Sequence, residues 1–330
     1  MDDDTTESEL IDLLRSGSGR SARLDVGIGD DAAVTLPGGA TATSVDAVVE
    51  GVHFRREWSS PEEVAHKALA TALSDLAAMA AEPGEAYVTL GIPPGTGDGY
   101  LEDLAAGFMT AADSFGAVLA GGDTVSSPVL FAAVTVVGHA AGVSDFVLRS
   151  GAEPDDVVAV TGGLGGAAAG LWLLENDAAA VEGLDPAART ALLERQLRPN
   201  PRLYAGRILG RLGARAMVDV SDGLAQDLGH IVDMSAVAIS CDARLVPAQA
   251  GVAEVESAAG RASGDFALAG GEDYELAVTM PEPDFEPARE ALRALDLDLT
   301  AIGRVAAGTG FTLVDEGGHR EAPAGFDHLA

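Results

Sequence analysis

Short apolar runs that alternate with helix-length segments constrain this chain more than any other feature. "ATATSVDAVV" alternates at period two, so it reads as a strand with Ser44 and Asp46 on one face. "EAYVTLGIP", "AVLAGGDT" and "VLFAAVTVVGHA" read as further strands, with "GYLEDLAAGFMTAADSFG" as a helix among them. "SSPEEVAHKALATALSDLAAMAAEP" opens with Ser60, Pro61 and Glu63 at the N-cap, N1 and N3 positions of a capping box. Pro83-Gly84 closes it. The chain before this is expected to be a helix, Glu7 to Leu14, running into the glycine-rich loop "GSGRSARLDVGIGDDAAV".

After the turn-rich "RSGAEPDD" the pattern restarts with the strand "VVAVTG". Helices are expected over 166–175 and 186–197, and a third follows the prolines of "RPNPRLYAGRILGRLG". "ARAMVDV", "GLAQDLGHIVDMS", "AVAISCDARL", "GGEDYELAVTM", "PDFEPAREALRAL" and "TAIGRV" continue the mixture. The reading is an α+β fold in two units, 1–145 and 146–330, with mixed sheets flanked by helices.

Composition narrows the function. The formal net charge is -32, from 52 acidic against 20 basic residues. Nucleic acid and anionic membrane both require a basic footprint, so neither is an expected partner. Lys67 is the only lysine, and a lysine-poor acidic chain fits a salt-rich interior that screens self-repulsion. One cysteine, Cys241, leaves no disulfide framework, and the acidic start "MDDDTTESEL" lacks the character of a signal peptide. No apolar run reaches a membrane span. These features read as a soluble cytoplasmic protein.

In so acidic a chain a carboxylate is informative only where water should be scarce. Asp75 borders an apolar helical stripe that includes Ala72, Leu76 and Met79, where it needs a partner such as the Thr71 hydroxyl, or a metal. Asp30, Asp46, Asp123 and Asp219 are read at the loop-side ends of short apolar strands, and Ser44 offers an oxygen beside Asp46. Asp30-Asp31 also suits a tight turn, Asp222 suits the N-cap of a helix beginning near Gly223, and Asp227 reads as solvated surface. Histidine and cysteine are too sparse for a zinc site. An oxygen-only set suits Mg²⁺ bridging carboxylates to phosphates, so metal-dependent handling of a polyphosphate is expected.

The glycine loops are less specific. "TGGLGGAAAG" resembles a phosphate loop, but no Walker lysine follows it and close helix packing explains its glycines as well. "GGEDYEL" reads as a β-turn that carries Glu272 and Asp273 into an apolar strand.

Taken in order, "GIGDDAAV", "SVDAVVEGVHF", "KALATALSDLAAMAAEP", "GGDT", "VTGGLGGAAAGL", "LRPNPR", "DVSDGLAQDLGHI" and "GGEDYELAVT" resemble the thiamine-monophosphate kinase family. That family lies within the aminoimidazole-ribonucleotide-synthetase-like superfamily. The resemblance implies that fold, a homodimer through the N-terminal units, and transfer of the ATP γ-phosphoryl group to thiamine monophosphate. It implies magnesium ligands at Asp30, Ser44, Asp46, Asp75, Asp123, Asp219 and Asp222. ATP contacts fall on Gly122, Asp123, Arg149 and Ser221, and substrate contacts on His53, Glu272 and Phe326. No general base is implied, and His53 also reads as a structural histidine after a strand. The chain has Thr71-Ala72 where the family often has Val-Asn, and Gly166-Ala167 where it often has Asp-Ser. The alternatives are a selenophosphate- or aminoimidazole-ribonucleotide-synthetase-like enzyme, or a non-catalytic nucleotide-binding relative.

Overall fold

The computed structural model describes residues 7–17, 19, 21–28, 32–36, 38–176, 181–315, 318–320 and 325. The chain divides into two compact units, Met1–Leu76 with Ala81–Asp145, and Ala77–Ala80 with Phe146–Ala330. Asp30 and Phe326 lie outside the described residues.

Unit one is built on a four-stranded sheet of order β3-β6-β4-β5. Its elements are α1 (Glu7–Gly17), β1 (Leu24–Val26), β2 (Val34–Thr35), β3 (Ala40–Val49), α2 (Pro61–Ala78), β4 (Glu82–Ile92), α3 (Asp98–Phe115), β5 (Val118–Ser126) and β6 (Phe131–Ala140). β3–β6 and β6–β4 pair antiparallel, and β4–β5 pair parallel across the α3 crossover. The expected capping box is present: Ser60 N–H donates to Glu63 Oε2 at 2.8 Å, and Glu63 N–H to Ser60 Oγ at 3.3 Å. Two segments differ from the sequence reading. The 18–35 stretch holds a small β1–β2 pair rather than loop alone, and Pro83-Gly84 falls inside β4 at a register shift.

Unit two carries a seven-stranded sheet of order β13-β12-β9-β11-β7-β10-β8. Its elements are β7 (Val157–Thr161), α4 (Gly166–Glu175), α5 (Pro186–Leu197), α6 (Leu203–Arg211), β8 (Ala216–Asp219), α7 (Leu224–Ser235), β9 (Ala238–Asp242), α8 (Val252–Ala258), α9 (Asp265–Ala269), β10 (Leu276–Met280), α10 (Glu282–Arg293), β11 (Leu299–Ala306), β12 (Gly310–Asp315) and β13 (Gly318–Arg320). β7, β8 and β10 are buried along their whole lengths, so they read as continuous apolar runs instead of alternating ones. Val158, Val160, Val218, Ala277 and Ile302 form their core with Leu224, Leu228 and Ile231 of α7. Cys241 is buried there, and burial pushes its thiol up to about 12, which leaves it unreactive.

The glycines of "TGGLGGAAAG" serve packing. A Cβ at Gly170 would stand 2.1 Å from the Leu192 carbonyl oxygen, so α4 and α5 approach closely only because this residue has no side chain. A Cβ at Gly166 would press on the Gln249 side-chain Oε1, so a larger residue there requires that side chain to move. Gly170→Ala should therefore destabilise the protein by about 1–3 kcal/mol, read as a lower urea midpoint. An unchanged midpoint would show that α4 and α5 separate freely.

Candidate functional site

In unit one the candidate oxygens gather on one face of β3. Ser44 and Asp46 both point to its half-buried side, and the Ser44 hydroxyl donates to Asp75 Oδ2. Thr71, the partner suggested by the helical wheel, instead donates to the Ala68 carbonyl at 3.0 Å. Asp46 does not end the strand. It sits opposite Val134 in the middle of the ladder, tolerated because β3 is an edge strand and this face is only partly buried. Asp123 also lies inside its strand, β5, rather than beyond it, and accepts the Thr124 N–H at 2.9 Å. A Cβ at Gly122 would meet the Val88 carbonyl at 2.0 Å, so the neighbouring strand alone demands glycine there. Gly122 and Asp123 line a cavity of about 750 Å³, with Ile11, Leu14, Ile28 and Phe108 on its apolar side.

His53 turns back against its own strand. The Val49 N–H donates to His53 Nδ1 at 3.1 Å, so the ring proton is placed on Nε2. Arg149, in unit two, is exposed, and its carbonyl accepts from the Ser235 hydroxyl at 3.2 Å.

The "DVSDGLAQDLG" turn of unit two corrects the sequence reading twice. Asp227 is buried, and its Oδ2 accepts the backbone N–H groups of Ser221, Asp222 and Gly223 at 3.1–3.2 Å. It therefore does the work assigned to Asp222. The N-cap position is held by Gly223, and the Asp222 carboxylate accepts from Gln226 Nε2 at 3.3 Å. The helical period hid this: Asp227 lies one turn inside α7, where a carboxylate usually faces water but here reaches back to the unsatisfied N–H groups. Burial, then the neighbouring carboxylates of Asp219 and Asp222, pushes the Asp227 carboxyl up to about 8. Ligand atoms of Asp222, Asp227 and His230 lie within 4.8 Å of one another. Such crowding of carboxylates is what a divalent cation relieves, and the oxygen-rich donor set fits Mg²⁺.

The "GGEDYEL" loop is fastened from both sides. Glu272 and Tyr274 adopt left-handed φ values of 64° and 49°, and their N–H groups donate to Ser221 and Val220 carbonyls at 2.7 and 2.8 Å. Such φ values are costly outside glycine and persist only when the surroundings enforce them. The intervening acid provides part of the enforcement. Asp273 accepts the N–H groups of Gly165 and Ala167, at 2.6 and 3.1 Å, at the start of α4. The loop that resembled a phosphate cradle thus already holds a carboxylate. Burial pushes the Asp273 carboxyl up to about 6 despite these donors and Arg195.

Glu275 is fully buried and ties three motifs together. It accepts from Arg195 and Arg202, with Arg202 Nε at 2.7 Å, and from the Thr161 hydroxyl at 2.6 Å. Arg195 also donates to the Gly163 carbonyl at 3.1 Å. Burial would raise the Glu275 carboxyl, but the two guanidinium groups and the hydroxyl outweigh it and hold it below its ordinary value. None of Glu275, Asp273, Arg195 and Arg202 was singled out as a site residue from sequence. The available signal was a pair of acids just before an apolar strand, with one arginine, Arg195, four residues before Pro199 and another, Arg202, directly after Pro201.

Comparison with known proteins decides what these motifs belong to. Residues 29–140 match the family described as "AIR synthase related protein, N-terminal domain", and residues 153–316 match its C-terminal counterpart. The thiamine-monophosphate kinase of Escherichia coli (strain K12) is 39% identical over 302 residues, 87% of each chain. That of Bacillus subtilis (strain 168) is 35% identical over 306 residues, 91% of each chain. This chain belongs to the thiamine-monophosphate kinase family. The crystal structure of the Stenotrophomonas maltophilia K279a kinase matches with a TM-score of 0.82 and 36% identity, over 92% of this chain and 95% of that one. A structure described as "AaThiL complexed with AMPPCP and TMP" matches with a TM-score of 0.76 and 29% identity, over 98% and 96%.

The Asp227 carboxyl gives a pH signature for the metal-free protein. Its folded value lies above the unfolded 3.8, so its contribution to stability is full below that pH and is lost as pH rises toward about 8. In chelator, urea stability should fall by on the order of a few kcal/mol across this window. Asp227→Asn should flatten that slope; an identical slope in the variant would remove Asp227 as its source.

Proposed function

We propose that this protein is an ATP-dependent thiamine-phosphate kinase that moves the γ-phosphoryl group directly onto thiamine monophosphate, giving thiamine diphosphate. The observation that carries this reading is the 39% identity to a curated kinase of that activity over 87% of both chains. The acceptor is a phosphate oxygen already ionised at neutral pH, so the reaction needs no general base. What opposes it is repulsion between two anions brought into line.

Magnesium ions, when bound, neutralise and align those anions. In unit one Ser44, Asp46 and Asp75 would hold them, with Asp123 on the cavity wall; in unit two Asp219 and Asp222 would do so, with Asp227 fixing their turn. Asp30 joins this set from the resemblance alone. Gly122, Asp123, Ser221 and the exposed Arg149 are assigned to the nucleotide. The Glu272 carboxylate would accept from the aminopyrimidine, Phe326 would stack on a ring, and His53 would donate through Nε2.

Three coarser properties complete the reading. The β3 face carrying Thr43 and Val45 is exposed, Val45 by 66%, and continues across the half-buried Ala133 and Thr135 of β6. An exposed sheet face of this kind suits pairing of two copies into a homodimer. Among the described residues no helix is long and apolar enough to cross a membrane, and a buried reduced cysteine suits the cytoplasm. The only lysine, Lys67, is 3% exposed, so the surface carries no lysine against a net charge of -32, which suits high salt.

The test is product analysis with ATP, Mg²⁺ and thiamine monophosphate at low and high salt. Thiamine diphosphate and ADP should appear in equal amounts, faster at high salt, and Asp75→Asn should lower the rate by at least a hundredfold while the protein stays folded. Folded protein with no product at any salt would overturn the assignment.

A further inference from the structure

Gln196 stands between the ion cluster and the Glu272 carboxylate. It lies at the end of α5, is 4% exposed, and donates through Nε2 to Glu272 Oε2 at 3.0 Å. Its other atom, Oε1, is buried with no hydrogen-bond partner among the described residues. An orphaned buried acceptor is destabilising, because its hydration is lost and nothing replaces it. An apolar side chain in this position, packed against Gly170 at the α4–α5 contact, would avoid that cost. Packing therefore does not explain an amide here, whereas its one hydrogen bond does.

The chemistry of that bond is specific. Of the amide's two ends only the NH₂ can face a carboxylate, so the rotamer of Gln196 and that of Glu272 are set together. The amide is also neutral. Arg195 is the adjacent residue in the chain, and Arg202 follows after Pro199 and Pro201, yet both guanidinium groups are directed to Glu275. Unlike a guanidinium, the amide orients the carboxylate without adding a charge of its own. A carboxylate oriented by a neutral donor suits a ligand that carries N–H donors on a cationic or polarised ring.

We propose that Gln196 is a positioning residue that fixes Glu272 for the amine-bearing ring of the substrate and so contributes to its selectivity. This rests on the reading that Glu272 meets thiamine monophosphate. Gln196 acts at the ring end and takes no part in the nucleotide half of the reaction.

Gln196→Met keeps the volume and removes the donor. Gln196→Glu replaces it with an acid that repels Glu272 when ionised but donates an O–H to it when protonated. Steady-state KM for thiamine monophosphate and for ATP, and calorimetric binding of thiamine monophosphate alone, are measured from pH 6 to 8.5 beside the wild type. Gln196→Met should raise the KM and Kd for thiamine monophosphate about tenfold or more, with the ATP KM unchanged. Gln196→Glu should show the same loss at high pH and recover toward the wild-type ratio as pH falls. If either folded variant keeps wild-type affinity at every pH, Gln196 does not position Glu272. If both affinities fall without pH recovery in Gln196→Glu, the role is structural and the proposal fails. Wild-type protein that neither binds nor phosphorylates thiamine monophosphate would instead overturn the functional reading beneath it.

Discussion

A buried carboxylate, Glu275, is the interaction on which unit two depends. Two arginines and a threonine converge on it, and each comes from a different segment: Thr161 from the end of β7, Arg195 from α5, Arg202 from the start of α6. Desolvating these charges is expensive, and only near-complete hydrogen bonding offsets it. Removing one partner would leave an uncompensated charge in the core, so the cluster forms whole or not at all. Its yield is geometric. It pins the loop 270–275 in a backbone conformation that Glu272 and Tyr274 would not adopt unaided, and sets that loop against the 219–223 turn.

The same logic repeats on a smaller scale around the turn. Asp227 gathers three N–H groups, and Asp273 gathers two at the start of α4. These carboxylates face inward and shape backbone, whereas Asp219, Asp222 and Glu272 are the ones proposed to meet metal or substrate. An abundance of acid thus serves two purposes that composition alone cannot separate. Unit one shows the complementary arrangement, in which a serine hydroxyl on β3 holds the Asp75 carboxylate of α2.

Much of the fold was legible because local rules and tertiary packing agree. The capping box at Ser60–Glu63, the alternation of β3 and the bounds of α4 and α5 follow directly from residue pattern. The α+β class followed from their sum. What was illegible depended on contacts between segments distant in the chain. Nothing local to Asp227 distinguishes it from solvated helix acid; its role exists only because α7 folds over the 221–223 turn. Asp46 and Asp123 looked like strand ends because aspartate is rare inside strands, yet each sits in an edge strand, where a polar side chain costs little. Glu275 looked like part of a turn motif, and its partners lie 73 to 114 residues away.

The central claim is that the Glu275 cluster holds the 270–275 loop in its strained form. Amide hydrogen exchange of Glu275→Gln against the wild type tests this most directly, residue by residue. The account predicts that the Glu272 and Tyr274 amides, which donate to Ser221 and Val220, lose protection while Ala277 to Thr279 of β10 keep theirs. Unchanged protection at Glu272 and Tyr274 in the folded variant would contradict it.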